Sequence, residues 1–138
     1  MKTTAHLKNV PYSPQKMRLV ADLIRGKSVE DALNILKYQS RKAYATVLEK
    51  LLISAIHNYR NINEDSRIEE SELFISKLMI DNGSMLKRLR PAPQGRGYRV
   101  RKRSHHITLE IQSYDENDYT IEEQNENIDE NIQENIAE

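Results

Sequence analysis

The chain has 138 residues, one domain by size, and no cysteine, which excludes disulfides and thiolate metal sites. Its formal charge of zero hides an asymmetry. Residues 1–113 carry 21 basic and 11 acidic side chains, net +10, whereas residues 114–138 carry 10 acids and no base. A basic body with an acidic tail points to a polyanionic partner. The opening MKTTAHLKNV lacks the apolar segment of a secretion signal. No apolar run approaches the roughly 20 residues of a membrane span. The default expectation is a cytoplasmic protein that meets no membrane.

Residues 3–10 alternate weakly. Ala5 and Leu7 face inward and His6 and Lys8 outward, as in an edge strand. Ser13-Pro14 then marks a helix start, with serine as the cap and proline at the first helical position. Met17, Val20, Ala21 and Ile24 follow at helical spacing, and Gly26 closes the helix. Arg18, Asp22 and Arg25 share another face. That spacing fits a phosphate cradle or a solvated face neutralised by Asp22, and leaves both open.

Ser28 with Asp31 three residues later is a variant of the capping box. It opens a second helix with the stripe Val29, Ala32, Leu33 and Leu36. Two helices joined by a tight turn raise a helix-turn-helix reading, a DNA-binding regulator. Glu30 and Asp31 occupy the turn that would enter the groove, and phosphates repel them. Two packed scaffold helices account for the pattern better. A third helix runs from about Arg41 to Tyr59. Its stripe is Tyr44, Val47, Leu48, Leu51, Leu52, Ala55, Ile56 and Tyr59, with Ile53 outside it. The connection NINEDSRIEES is acidic but lacks the glycine and spacing of a calcium loop.

From Leu73 the period becomes two. Leu73 and Ile75 precede Leu78-Met79-Ile80, and later Ile107, Leu109 and Ile111 alternate with Thr108 and Glu110. These two strands bracket a basic stretch. Eight of the 17 residues from Lys87 to Arg103 are Lys or Arg, and none is acidic. They are Lys87, Arg88, Arg90, Arg96, Arg99, Arg101, Lys102 and Arg103. Pro91, Pro93, Gly95 and Gly97 lie between them, where a chain reverses. Residues 73–112 thus read as one long hairpin. Its base packs on the helices, and its basic end has no apolar face and projects about 30 Å, at about 3.3 Å per residue. A ribbon of that length is expected to gain order from its partner. Arginine forks suit phosphate. The tail, with Glu-Asn-Ile at residues 126, 130 and 134, reads as acidic low complexity.

Catalytic patterns are missing. Gly95-Arg96-Gly97 lacks the third glycine and helix of a dinucleotide site. His105 and His106 point to opposite faces of a strand and cannot chelate together. Without a paired acid and base or a metal set, an RNA-processing enzyme is disfavoured. No cofactor, no metal and no reaction are expected.

SPQKMRLVADLIRGKSVEDALNIL (13–36) and MLKRLRPAPQGRGYRVRKRSHHITLEI (85–111) resemble the opening and closing motifs of the bacterial large-subunit ribosomal protein 22 family. The resemblance spans about residues 3–113. It implies an α+β domain, three helices on a small antiparallel sheet, with a long protruding basic hairpin. The acidic tail, 114–138, lies outside it. It also implies a structural component of the large subunit. The hairpin would thread ribosomal RNA to the wall of the nascent-peptide exit tunnel and form a constriction there with large-subunit ribosomal protein 4. Partners would be large-subunit rRNA, neighbouring ribosomal proteins and the nascent peptide, with no homo-oligomer. Carried over by position, the rRNA contacts are Lys16, Arg18, Arg25, Lys87, Arg88, Arg90, Arg96, Arg99, Arg101, Lys102 and Arg103. Ser104, His106, Ile107 and Thr108 match the closing motif. The tip facing the tunnel is Arg90, Pro91, Ala92, Pro93, Gln94, Gly95 and Arg96. Family members often carry a basic residue and then a small one where this chain has Ala92-Pro93.

Overall fold

The computed structural model describes residues 2–62 and 70–114. The expectations for the tail beyond Tyr114 and for most of the acidic connection fall outside the described residues. The rest is the expected α+β arrangement. In chain order it comprises β1 (Lys2–Val10), α1 (Pro14–Ile24), α2 (Val29–Tyr38), α3 (Lys42–Ile62), β2 (Leu73–Asn82), β3 (Leu86–Pro91), β4 (Gly97–Lys102) and β5 (His105–Ser113). One antiparallel sheet has the order β1-β5-β2, and β3 and β4 form a separate two-stranded ribbon.

β5 is the central strand. Its period-two pattern is the signature of a sheet covered on one face only. His105, Ile107, Leu109 and Ile111 are buried, and the residues between them are half-buried. Ala5 pairs with Leu109 on one side and Leu78 pairs with it on the other, so three apolar side chains meet across the sheet. α3 crosses this face above β1 and β5. Its buried stripe is Ala45, Leu48, Leu51, Leu52, Ala55, Ile56 and Tyr59. Tyr44 and Val47 are half-buried at the margin of the stripe rather than inside it. Ile53 points outward because it lies about 100° round the helix from Leu52.

Both outer strands are bulged. The register of β2 shifts between Ile75 and Lys77, so the buried set changes from Leu73 and Ile75 to Leu78 and Ile80. That explains why the sequence pattern loses its alternation there. Ser76, the extra residue, donates to the Glu110 carboxylate at 3.3 Å. In β1 the shift falls between Leu7 and Val10, and Asn9 adopts φ 59°.

The caps differ from expectation at one helix. Ser13 stands at the N-cap of α1, but its side chain makes no capping hydrogen bond. Pro14 has no amide to satisfy, and the Met17 N–H reaches the Ser13 carbonyl at 3.2 Å. Ser28 caps α2 as expected, accepting from the Asp31 N–H at 3.2 Å.

The helical layer also closes the open edge of β2. Gly26, at φ 77°, turns the chain after α1 so that its N–H donates to the Ile75 carbonyl at 3.0 Å. The Ile75 N–H returns a bond to the Lys27 carbonyl at 3.0 Å. Further along the same edge, Arg25 donates to the Leu78 carbonyl at 3.0 and 3.2 Å. Arg18 donates to the Ile80 carbonyl at 2.9 and 3.3 Å. An unpaired strand edge is a template for aggregation, and here α1 covers it. Hydrogen bonds from charged donors contribute about 1.5–3 kcal/mol when well shielded. The Arg25 side chain is 45% exposed, so the lower end applies. Replacing Arg18 and Arg25 together by Ala should lower unfolding free energy by about 2 kcal/mol, read from urea midpoints. An unchanged midpoint would mean that water serves these carbonyls equally well.

Candidate nucleic-acid interface

The interface begins where the main sheet hands over to the ribbon. At this root the Gly83 N–H donates to the Ser104 carbonyl at 2.9 Å, and the Ser104 hydroxyl donates to the Ser84 carbonyl at 2.6 Å. The two strands pass so closely that a Cβ on Gly83 would lie 2.6 Å from Ser104 Oγ and 3.1 Å from its carbonyl carbon. A side chain here would displace the Ser104 hydroxyl and press on the backbone behind it. The expected single hairpin over 73–112 is therefore two ladders, β2 with β5 and β3 with β4, joined through a tied root.

Each arm of the ribbon has six paired residues, about 20 Å of ladder, with root and turn residues extending it at either end. All residues of β3 and β4 are exposed. Neither face of the ribbon is apolar, as expected, but apolar side chains are interleaved with the basic ones on both. Leu86 faces Lys102, Arg88 faces Val100, Leu89 faces Arg99 and Arg90 faces Tyr98. Only Lys87 and Arg101 put like charges directly opposite each other. Directly opposed like charges weaken a ladder, whereas an arginine stem lying along an apolar neighbour supports it. So the ribbon holds its strands together without acidic partners. Among the described residues none of its basic side chains forms an ion pair.

At the tip, Ala92 N–H donates to the Arg96 carbonyl at 2.8 Å, closing the turn. Pro93–Gly95 make one tight turn, with Gln94 and Gly95 left-handed at φ 61° and 69°. Glycine takes that conformation without strain, and Gln94 is held in it by the pairing on either side. The tip set Arg90 to Arg96 is thus one structural unit.

The eleven basic residues expected to contact RNA separate into two groups. Lys87, Arg88, Arg90, Arg96, Arg99, Arg101, Lys102 and Arg103 are brought together on the exposed ribbon. Lys16, Arg18 and Arg25 are exposed on or beside α1. Arg25 also grips Asp22 at 2.6 Å, so the solvated-face and cradle readings are both incomplete: these arginines first bind the edge of β2. The sequence reading passed over Leu86, Leu89, Tyr98 and Val100. The alternation of apolar with basic residues in YRVRK was the available signal.

The first turn of α2 carries Glu30 and Asp31, both exposed. His105 and His106 do face opposite ways. His105 is buried and its Nδ1 donates to the Tyr12 carbonyl at 2.9 Å, while His106 Nδ1 accepts from the Asn9 N–H at 3.0 Å. No cluster suited to a metal ion occurs among the described residues.

A small α+β platform that holds out an exposed basic ribbon, free of acids, defines a basic-ribbon scaffold domain. Comparison with known proteins makes this specific. The chain belongs to the ribosomal protein L22p/L17e family, whose model matches residues 5–112. It is 61% identical over 105 residues to large ribosomal subunit protein uL22 of Christiangramia forsetii, covering 76% of this chain and 77% of that one. It is 57% identical over 114 residues to uL22 of Bacteroides fragilis, covering 83% and 82%. Family membership makes the chain a structural component of the large ribosomal subunit, not an enzyme.

The root imposes a sharp steric requirement. Gly83→Ala should force Ser104 away and cost about 1–3 kcal/mol, as other overpacking substitutions do. Thermal melting reads the loss, and amide exchange at Gly83 should speed up as its bond to Ser104 lengthens. A variant with wild-type melting and exchange would show that the root relaxes freely.

Proposed function

We propose that the chain binds large-subunit rRNA through the ribbon, supports assembly of the subunit, and lines the nascent-peptide exit tunnel with the ribbon tip beside ribosomal protein 4. The observation that carries this reading is the ribbon itself: eight cations with no acidic partner among the described residues, held by cross-strand apolar neighbours. Such a surface is unsatisfied until phosphates meet it. Lys87, Arg88, Arg99, Arg101, Lys102 and Arg103 lie towards the root and anchor in rRNA. Arg90 and Arg96 flank the turn, and Pro91, Ala92, Pro93, Gln94 and Gly95 offer the passing peptide a restricted, uncharged backbone. Lys16 adds a contact from α1. Arg18 and Arg25 contribute mainly as charge, since their N–H groups are partly spent on β2.

Salt dependence and division of labour test this together. Affinity of the purified protein for large-subunit rRNA should fall steeply with salt. Changing Arg99, Arg101 and Arg103 to Ala should flatten the slope of log affinity against log salt by about 2–3, the loss of three phosphate contacts. The same variant should enter large subunits poorly in sedimentation profiles. Deleting residues 92–94 should leave assembly largely intact and change stalling by arrest peptides in a translation extract. If the tip deletion blocks assembly while the triple variant assembles normally, anchor and tip are exchanged.

The acidic tail, residues 114–138, bears the opposite charge to the ribbon. We assign it no rRNA contact and a screening role that limits non-specific RNA binding. Truncation after Ser113 should tighten binding to random RNA at low salt. Equal affinity of the two forms would leave the tail without this role.

A further inference from the structure

A hollow of about 700 Å³ lies at the root of the ribbon, between the end of β1, the start of α1 and the strands entering and leaving the ribbon. Its size falls within the roughly 300–1,000 Å³ of small-ligand clefts. We propose that it seats one unstacked nucleotide of the bound RNA. This rests on the rRNA-binding reading and adds a specific site to it.

The lining supplies both halves of a nucleotide's chemistry. Pro11, Tyr12 and Leu86 form an apolar wall. Tyr12 is fixed there by its neighbour Tyr44, with ring centroids 5.1 Å apart and planes at 52°, and by its carbonyl, which accepts from buried His105. Unstacked bases in RNA loops and bulges are bound on such aromatic and apolar surfaces. Arg101, Lys102 and Arg103 line it as well, with Lys102 paired directly to Leu86, and no acidic residue lines the hollow. Phosphate belongs beside them.

The Ser104 hydroxyl is spent on the Ser84 carbonyl, which leaves the side chains of Ser13, Ser84 and Asn9 for the sugar and the base. The Ser13 hydroxyl, at the N-cap of α1, makes no capping bond and lines the hollow. Asn9 also lines it. Its backbone is left-handed at φ 59°, a conformation that non-glycine residues seldom take, and it sits at the bulge of β1. Its N–H is used by His106, whereas its side-chain amide has no partner among the described residues. An amide carries a donor and an acceptor side by side and can engage a base edge at both. The bulge thus places Asn9 at the hollow in a left-handed conformation that asparagine adopts more readily than most residues.

The experiment uses the full-length protein and two short RNA probes: a stem with one bulged nucleotide and the same stem fully paired. Four versions of the bulge carry A, G, C or U. The hollow should give the bulged stem about a five- to tenfold advantage. Asn9→Gly is the informative variant, because glycine keeps the positive φ and the backbone N–H while removing only the amide. It should reduce the advantage for the preferred base, with the paired stem as internal reference. Tyr12→Ala should reduce it for all four bases. Because Tyr12 also packs on Tyr44, its effect counts only if melting shows a folded protein, and Asn9→Gly carries the test otherwise. Equal affinity for bulged and paired stems, with steep salt dependence, overturns the nucleotide seat and leaves the rRNA-binding reading standing. Weak binding of both stems, indifferent to salt, overturns the rRNA-binding reading itself. An advantage untouched by Asn9→Gly and by folded Tyr12→Ala puts the bulge elsewhere and overturns the seat.

Discussion

β5 carries two hydrogen-bond ladders at once, and the rest of the molecule depends on that. It pairs with β1 along one edge and β2 along the other, and it continues directly from the ribbon through Arg103 and Ser104. A two-stranded ribbon in water is marginal. Its strands stay in register here because their neighbours in the chain, β2 and β5, are already locked by the core. Ile107, Leu109 and Ile111 are the residues that lock them. The two carbonyl bonds at the root, across Gly83, Ser84 and Ser104, transmit that register outward.

The edges of the sheet are treated according to what lies beyond them. β2 is an outer strand, and α1 covers its exposed carbonyls with Arg18 and Arg25 while the turn at Gly26 and Lys27 pairs with Ile75. Two cations that look like ligand residues by spacing are therefore first of all structural. They keep the strand leading into the ribbon from pairing elsewhere. The bulge at Ser76 serves the same strand: were Ser76 paired as a regular ladder residue, Leu78 and Ile80 would face solvent.

Much of this was legible in the sequence, and for identifiable reasons. Helical spacing exposed Met17, Val20, Ala21 and Ile24, and strict alternation exposed β5, because in both cases one face is buried and the other is not. Basic density located the ribbon. What stayed hidden depends on pairing between distant residues. The handover at Gly83 is visible only when Ser104 lies against it. The opposition of Leu89 to Arg99 and of Arg90 to Tyr98 requires the register. The failure of Ser13 to cap α1 depends on the path of the chain before it. The uses of Arg18 and Arg25 depend on which strand α1 happens to cover. Local rules carry information about faces and turns, and they carry none about who stands opposite.

That register resolves a problem that basic density alone creates. Eight cations on two short strands repel one another, and a ribbon of purely basic pairs would separate unless RNA were already present. Placing Leu86, Leu89, Tyr98 and Val100 opposite charged partners limits direct like-charge opposition to Lys87 and Arg101. The apolar atoms also give the arginine stems something to lie along, so their heads are held outward. The cost is exposed hydrophobic surface, with Leu89 75% and Tyr98 66% exposed. On a free protein that surface is a liability. Against the rRNA proposed as its partner, that surface would meet sugars and base faces while the guanidinium groups met phosphates. The same side chains would then hold the ribbon ready before binding and add contact after it, which a ribbon of charges alone would do in neither state.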